Sequence, residues 1–371
     1  MASETIDAVM LFAAGYGEAC AAFRAEAAAA GATIETRVNE EAGRGPAGEA
    51  LATDIARFGS REARRVLFVL SGVHGKEGYA GSAVQRGWIA AGGPRALAPD
   101  CAVVLVHAVN PWGFAYGSRT TEGNVDLNRN FVDFTKPLPA NPDYDALHPI
   151  FHTADADPVT LNRATNALET ARAWMGPKAF SNAMSRGQYS HRDGMMYGGS
   201  APTWSNRTLR HAFAEHGRNA DSIAMIDLHT GIGDYGATVF LCFHPRNSPP
   251  WQRARAWWGA RAVDGSTLPG EHKVLADYAG TTLDAFAEAP GPQERTAIVI
   301  EFGTLDRLAM RRALLVDRWL NSISDRSSPE ARALMKDTVA ASAPADPEWR
   351  ARVIKSGVEV LEQAARGIAA G

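Results

Sequence analysis

Compact apolar runs recur along the chain, each closed by turn residues: Thr33–Val38, "RRVLFVLSG" (64–72), "CAVVLVHAVN" (101–110), "DSIAMIDLH" (221–229), "ATVFLCFH" (237–244) and "RTAIVIEFG" (295–303). Their length and β-branched content predict buried strands. Between them lie segments of helical periodicity at 81–91, 159–175, 205–217, 251–263 and 305–324. An Ala-rich helix, "YGEACAAFRAEAAAAGA", precedes the first strand and stops at Gly31. Strands alternating with helices predict an α/β fold: a mixed, mostly parallel sheet with helices on both faces.

The pattern weakens between Phe134 and about Tyr197. "TKPLPANPDYDALHPIFHTADADP" is rich in Pro and Asp and predicts an ordered, loop-rich insertion at about 134–204. The expected organisation is therefore a single domain over 1–371 carrying that insertion. The last forty or so residues read as helical, with a break near "ASAPADP".

Composition narrows the partners. The 371 residues are 46% hydrophobic and 21% charged, with a net charge near −3, so no basic field favours nucleic acid or an anionic membrane. Cys20, Cys101 and Cys242 form no CxxC pair, which leaves neither a disulfide framework nor a thiolate metal cluster to read. Glu4 and Asp7 stand where a secretory signal carries Lys or Arg, and nothing approaches ~18 consecutive apolar residues. A soluble, cytoplasmic enzyme or binding protein is the expectation.

In open α/β sheets, ligands bind where side chains leave the carboxyl ends of the strands. Unusual polar residues stand at that point four times. "VLSGVHGKEGYAG" puts His74 and Glu77 just after the 64–72 run. It is no phosphate loop: two residues, not four, separate Gly72 from Gly75, and a carboxylate follows Lys76. The 101–110 run leads on to Asp126, Asn128 and Arg129, the 221–229 run ends at His229, and the 295–303 run contains Glu301. Singly, each has a plain structural explanation as a cap, a satisfied histidine or an ion-pair partner. Together they supply two His and a carboxylate, the three-ligand type of a hydrolytic zinc site, with a further carboxylate to act as base.

In order along the chain, "GVHGKEG", "NVDLNRNF", "DLHTG" and "EFGT" resemble the motifs of the M14 zinc carboxypeptidases. Within them the sequence is most similar to the bacterial DUF2817 group, near the aspartoacylase and succinylglutamate desuccinylase branch. "RGQYSHRDGMMYGGSAPTWSNRTL" belongs to the same likeness, which spans about residues 15 to 320. The resemblance implies one Zn2+ per chain on His74, Glu77 and His229, with Glu301 as general base. It implies Arg119 at the oxyanion, Asn128 and Arg129 on a substrate carboxylate, and Asp126 orienting a zinc-bound histidine. No motif anchors a catalytic tyrosine, and Tyr278 is left without a role.

The implied reaction is hydrolysis of an amide bond beside a carboxylate. Its substrate is either a small peptide, cut as by a carboxypeptidase, or an N-acyl amino acid, cut as by an aspartoacylase-type deacylase. A non-catalytic zinc-binding module is the rival from another class, and retention of Glu301, Arg119 and Arg129 counts against it. The length of the insertion, with Tyr197 and Trp204, predicts a narrowed mouth suited to a small substrate.

Overall fold

Strand positions in the computed structural model follow the aliphatic runs; it describes residues 8–263, 274–291 and 294–370. Among these, eight strands form one sheet in the order β1-β2-β4-β3-β5-β8-β6-β7. They are β1 (Thr33–Val38), β2 (Ala52–Phe58), β3 (Arg65–Ser71), β4 (Cys101–His107), β5 (Ser222–Thr230), β6 (Thr238–Leu241), β7 (Ala262–Val263) and β8 (Glu294–Phe302). The centre, β4-β3-β5-β8, is parallel, while β1, β2 and the β6–β8 pair run antiparallel.

The central strands are buried on both sides, so their apolar residues are nearly continuous. Leu67 and Val69 of β3 join Phe23, Val84, Trp88, Trp349 and Val360 from the helices of one face. Val66, Phe68 and Leu70 join Leu209, Phe213 and Phe286 on the other. The mixed sheet with helices on both faces is as the sequence predicts. No helix among the described residues is long and apolar enough to cross a membrane.

Three details differ from expectation. β2 went unread because its "ATDIARF" carries charges; Asp54 is bound by Arg24 and Thr36, and Arg57 by two backbone carbonyls, Ser60 and His216. The run 237–244 gives a strand only at 238–241, and helix 251–263 is instead Pro249–Trp258, followed by β7.

The largest difference lies at 134–204, where, beside Pro158–Met175, the helix expected at 159–175, the loop-rich expectation meets two further helices, Pro142–Phe151 and Pro177–Ser185. Their Tyr144, Leu147, Phe151, Leu168 and Phe180 form an apolar cluster with Leu315, Val316 and Leu320 of helix Arg307–Leu320.

Chain direction places the site. From β3 the chain passes to β4 on one side and later to β5 on the other, so the connections diverge at the β3/β5 carboxyl ends. Such a switch point opens a crevice for ligands.

Candidate metal centre and active site

β3 ends at Ser71, and Gly72 turns the chain with a φ of 71°, a conformation that favours glycine. His74 then precedes a single 3-10 turn, Gly75–Glu77, which brings Glu77 back toward it. Gly75 allows this turn to lie against the 110–114 segment, since a Cβ there would overlap the backbone of Gly113 and Phe114. His229 lies near the end of β5, in register with Glu301 on β8. Four sequence-predicted residues from three parallel strands therefore meet at one end of the sheet.

Their donor atoms converge. Nδ1 of His74 lies 3.0 Å from Glu77 Oε1 and 3.1 Å from His229 Nδ1, and His229 Nδ1 lies 3.0 Å from Glu77 Oε2. All three side chains are buried. Each ring turns its other nitrogen to a carboxylate: His74 Nε2 lies 3.4 Å from Asp126 Oδ1, and His229 Nε2 lies 2.9 Å from Asp227 Oδ2. Both pairs are close in charge but poorly aligned as hydrogen bonds, so both Nε2 atoms lack a well-formed partner. Two ring nitrogens and a carboxylate gathered out of water, each ring backed by an acid, fit a divalent cation of the zinc type.

Two other groups of His, Cys, Asp or Glu lie close enough together to hold an ion among the described residues. In Cys20–Asp54–His107, Arg24 already holds the carboxylate and Ser82 the imidazole. In His148–His152–Asp193, the Arg318 guanidinium donates to His152 Nδ1 at 2.8 Å, putting a fixed cation in the cluster. Neither group lines the large cavity; His74, Glu77 and His229 do.

Electrostatics separate the carboxylates by task. Burial raises the Glu77 carboxyl, but His74 and His229 override it and hold it well below the usual range. For His229, burial acts downward, and Asp227 and then Glu77 override it, raising the imidazole well above its ordinary value. Burial pushes Glu301 up to about 8; His229 opposes this, Glu77 adds to it, and the Ile232 N–H, donated at 3.2 Å, lowers it. A carboxyl whose proton affinity is raised by burial, beside this candidate ligand set, is suited to exchanging protons.

The other expected residues surround this group. Arg119 donates from Nε to Asp126 Oδ2 at 3.0 Å, and its Nη1 lies 3.8 Å from Glu77 Oε1. Asp126 thus serves Arg119 and His74 together; burial raises it, but Arg119, Arg129 and His74 hold it well below the ordinary range. Asn128 accepts the N–H of Thr282 at 2.9 Å. Arg129 donates to the carbonyls of Ser185 and Asn128, and its guanidinium lies 5.0 Å from the centre of the Tyr278 ring. Arg119, Asn128, Arg129, Tyr278 and Glu301 all line the same cavity of about 970 Å³.

The insertion reaches the cavity through Arg172, Pro177, Phe180, Ser181, Met184, Ser185 and Met196. Tyr197 and Trp204, expected to narrow its mouth, are not among the lining residues; Tyr197 instead accepts the N–H of Asp126 on its carbonyl at 2.7 Å. Asp227 is a further residue of the site, outside those expected from the sequence. Its signal was present in "DLH", because residues two apart on a strand share a face.

Residues 12–356 match the family described as Protein of unknown function (DUF2817), and the chain belongs to that family. No curated protein matches it. Among solved structures, it is similar to carboxypeptidase A from Helicoverpa armigera at 14% identity, covering 89% of this chain and 74% of that one, with a TM-score of 0.45. Bovine thrombin-activatable fibrinolysis inhibitor, solved with a tick carboxypeptidase inhibitor, is 13% identical over 96% and 97% of the chains, with a TM-score of 0.48. A succinylglutamate desuccinylase/aspartoacylase-type protein from Shewanella frigidimarina is 18% identical over 78% and 69%, with a TM-score of 0.38.

Proposed function

We propose that this protein is a zinc-dependent amide hydrolase of the carboxypeptidase kind, cutting beside a free substrate carboxylate and working as one catalytic unit over residues 1–371. The observation that carries this reading is the meeting of both Nδ1 atoms with Glu77 at the floor of a large cavity, with Glu301 in register beside His229. His74, Glu77 and His229 would hold the metal. When bound, zinc supplies a water acidified toward neutrality and a Lewis-acid contact for the amide oxygen.

The chain's own groups do the rest. Glu301 takes the proton of the attacking water and returns it to the leaving nitrogen. Arg119, fixed by Asp126, offers N–H groups and positive charge where the oxyanion develops. Arg129 presents a planar fork suited to a carboxylate, held by backbone carbonyls and the Tyr278 ring.

Cavity size supports a peptide over a small N-acyl amino acid, since about 970 Å³ lies at the upper end of the ~300–1,000 Å³ of ligand sites. Leu241, Phe243, Leu275, Tyr278, Leu283 and Val299 make one wall apolar, which suits an aliphatic or aromatic residue next to the carboxylate. Three free, buried cysteines are in keeping with a reducing compartment and support a cytoplasmic location. The test is turnover of free-acid peptides, the same peptides amidated, and N-acyl amino acids, each with and without a chelator. Chelator-sensitive release of the C-terminal residue from free-acid peptides alone is expected. Cleavage confined to N-acyl amino acids would move the assignment to a deacylase, and no turnover of any of them would leave a metal-binding module.

A further inference from the structure

Helix Arg307–Leu320 packs on the insertion through Leu315, Val316 and Leu320, and another of its residues, Asp317, reaches the turn between His74 and Glu77. Asp317, 3% exposed, accepts the backbone N–H of Arg119 on Oδ2 at 2.7 Å and the Ser118 hydroxyl on Oδ1 at 2.9 Å. The ammonium of Lys76, itself 1% exposed, lies 3.2 Å from Oδ2, as an ion pair rather than an aligned hydrogen bond. Lys76 stands between His74 and Glu77 in the 3-10 turn. The two loops are also joined directly, by Lys76 N–H to the Ser118 carbonyl at 2.9 Å and Gly75 N–H to the Arg119 carbonyl at 3.3 Å.

A carboxylate taken out of water is costly unless its oxygens are satisfied. Both oxygens of Asp317 are used, and its partners come from the two loops that must agree in position: the one holding His74 and Glu77, and the one carrying Arg119. Asp126 grips the Arg119 side chain while Asp317 grips its main chain. A displacement of about 1 Å in such a group costs on the order of 10²-fold in rate. Building on the zinc-hydrolase reading, we propose that Asp317 is a positioning residue that fixes Arg119 relative to the metal-ligand turn and makes the insertion's core a support for the site.

The alternative is that Asp317 only neutralises a buried lysine. Two variants of the full chain separate these roles: Asp317→Asn, and the double variant Lys76→Met with Asp317→Leu, which removes both charges and leaves neither orphaned. Steady-state kinetics, zinc affinity by chelator competition, melting temperature and hydrogen exchange at Ser118–Thr121 are read for each. In Asp317→Asn, kcat is expected to fall about 10- to 100-fold with KM within about twofold, together with weaker zinc binding, the scale of losses behind a metal ligand. The double variant, with no buried charge left unpaired, is still expected to keep the low kcat and the faster exchange at Arg119, whose N–H has lost its acceptor. Parent-like kcat in Asp317→Asn, or recovery of kcat and exchange protection in the double variant, would overturn the role. A parent that neither binds zinc nor turns over overturns the functional reading and this role with it, whereas a working parent with indifferent variants overturns this role alone.

Discussion

Asp227 and His229 stand two residues apart on β5, with Asp227 Oδ2 2.9 Å from His229 Nε2. Because strand side chains alternate, both point to the same face, and the acid backs the ring whose Nδ1 meets Glu77. Thr282 completes the arrangement by donating its hydroxyl to the same Oδ2 at 2.6 Å.

Asp227→Asn should therefore weaken zinc binding by about 10- to 100-fold while leaving the fold intact, as expected for a group that orients a ligand. Chelator competition measures it; an unchanged zinc affinity would mean that Asp227 serves only Thr282.

Glu301 ends an apolar run, and its carboxylate accepts the Ile232 N–H at 3.2 Å. Glu301→Gln keeps shape but removes basicity. It should fold and bind zinc like the parent and lose on the order of 10²–10⁴ in kcat. Loss of metal would place Glu301 in the ligand set instead, and full activity would refute its role as base.

Arg129 separates substrate recognition from scaffolding. Arg129→Ala should raise KM and lower kcat/KM for free-acid peptides by about 10²-fold, the scale of losing a charge-assisted contact of ~1.5–3 kcal/mol. Amidating the substrate carboxylate should cost the parent a similar factor and the variant almost nothing more. Equal sensitivity of both proteins to amidation would assign Arg129 to holding Ser185 and Asn128 in place.

His107 gives the pH dependence. It is fully buried, stacked on Phe23 with ring centres 4.3 Å apart, and burial pushes its pKa down to about 3. With an unfolded value near 6.5, the unfolded chain takes up the proton first as pH falls below that value. This residue's contribution is thus present above pH ~6.5 and is lost progressively toward pH ~3, amounting to a few kcal/mol. Denaturant unfolding of His107→Gln between pH 7 and 4 should show a shallower fall in stability than the parent. Parallel curves would contradict the assignment.

Much of the site was legible because its chemistry sits where apolar strands end, a place that periodicity locates well. His74, His229 and Glu301 follow or close strong runs, and the structure brings them together at one end of the sheet. What stayed hidden was hidden for physical reasons. Two prolines of the segment that reads as loop, Pro142 after the cap Asn141 and Pro158 after the cap Asp157, occupy the first turns of helices, while Pro149 sits inside one. β2 escaped because its charges find partners only in three dimensions. Asp317 lies 198 residues from Arg119, and no local pattern announces a contact of that span.

The proposed reaction depends on a single zinc held by His74, Glu77 and His229. Metal analysis of the purified parent and of His229→Ala tests it most directly. About one zinc per chain in the parent, falling sharply in the variant while the protein stays folded, is the result predicted from this ligand geometry. Zinc content unchanged in His229→Ala, or absent from a folded parent supplied with zinc, would contradict it.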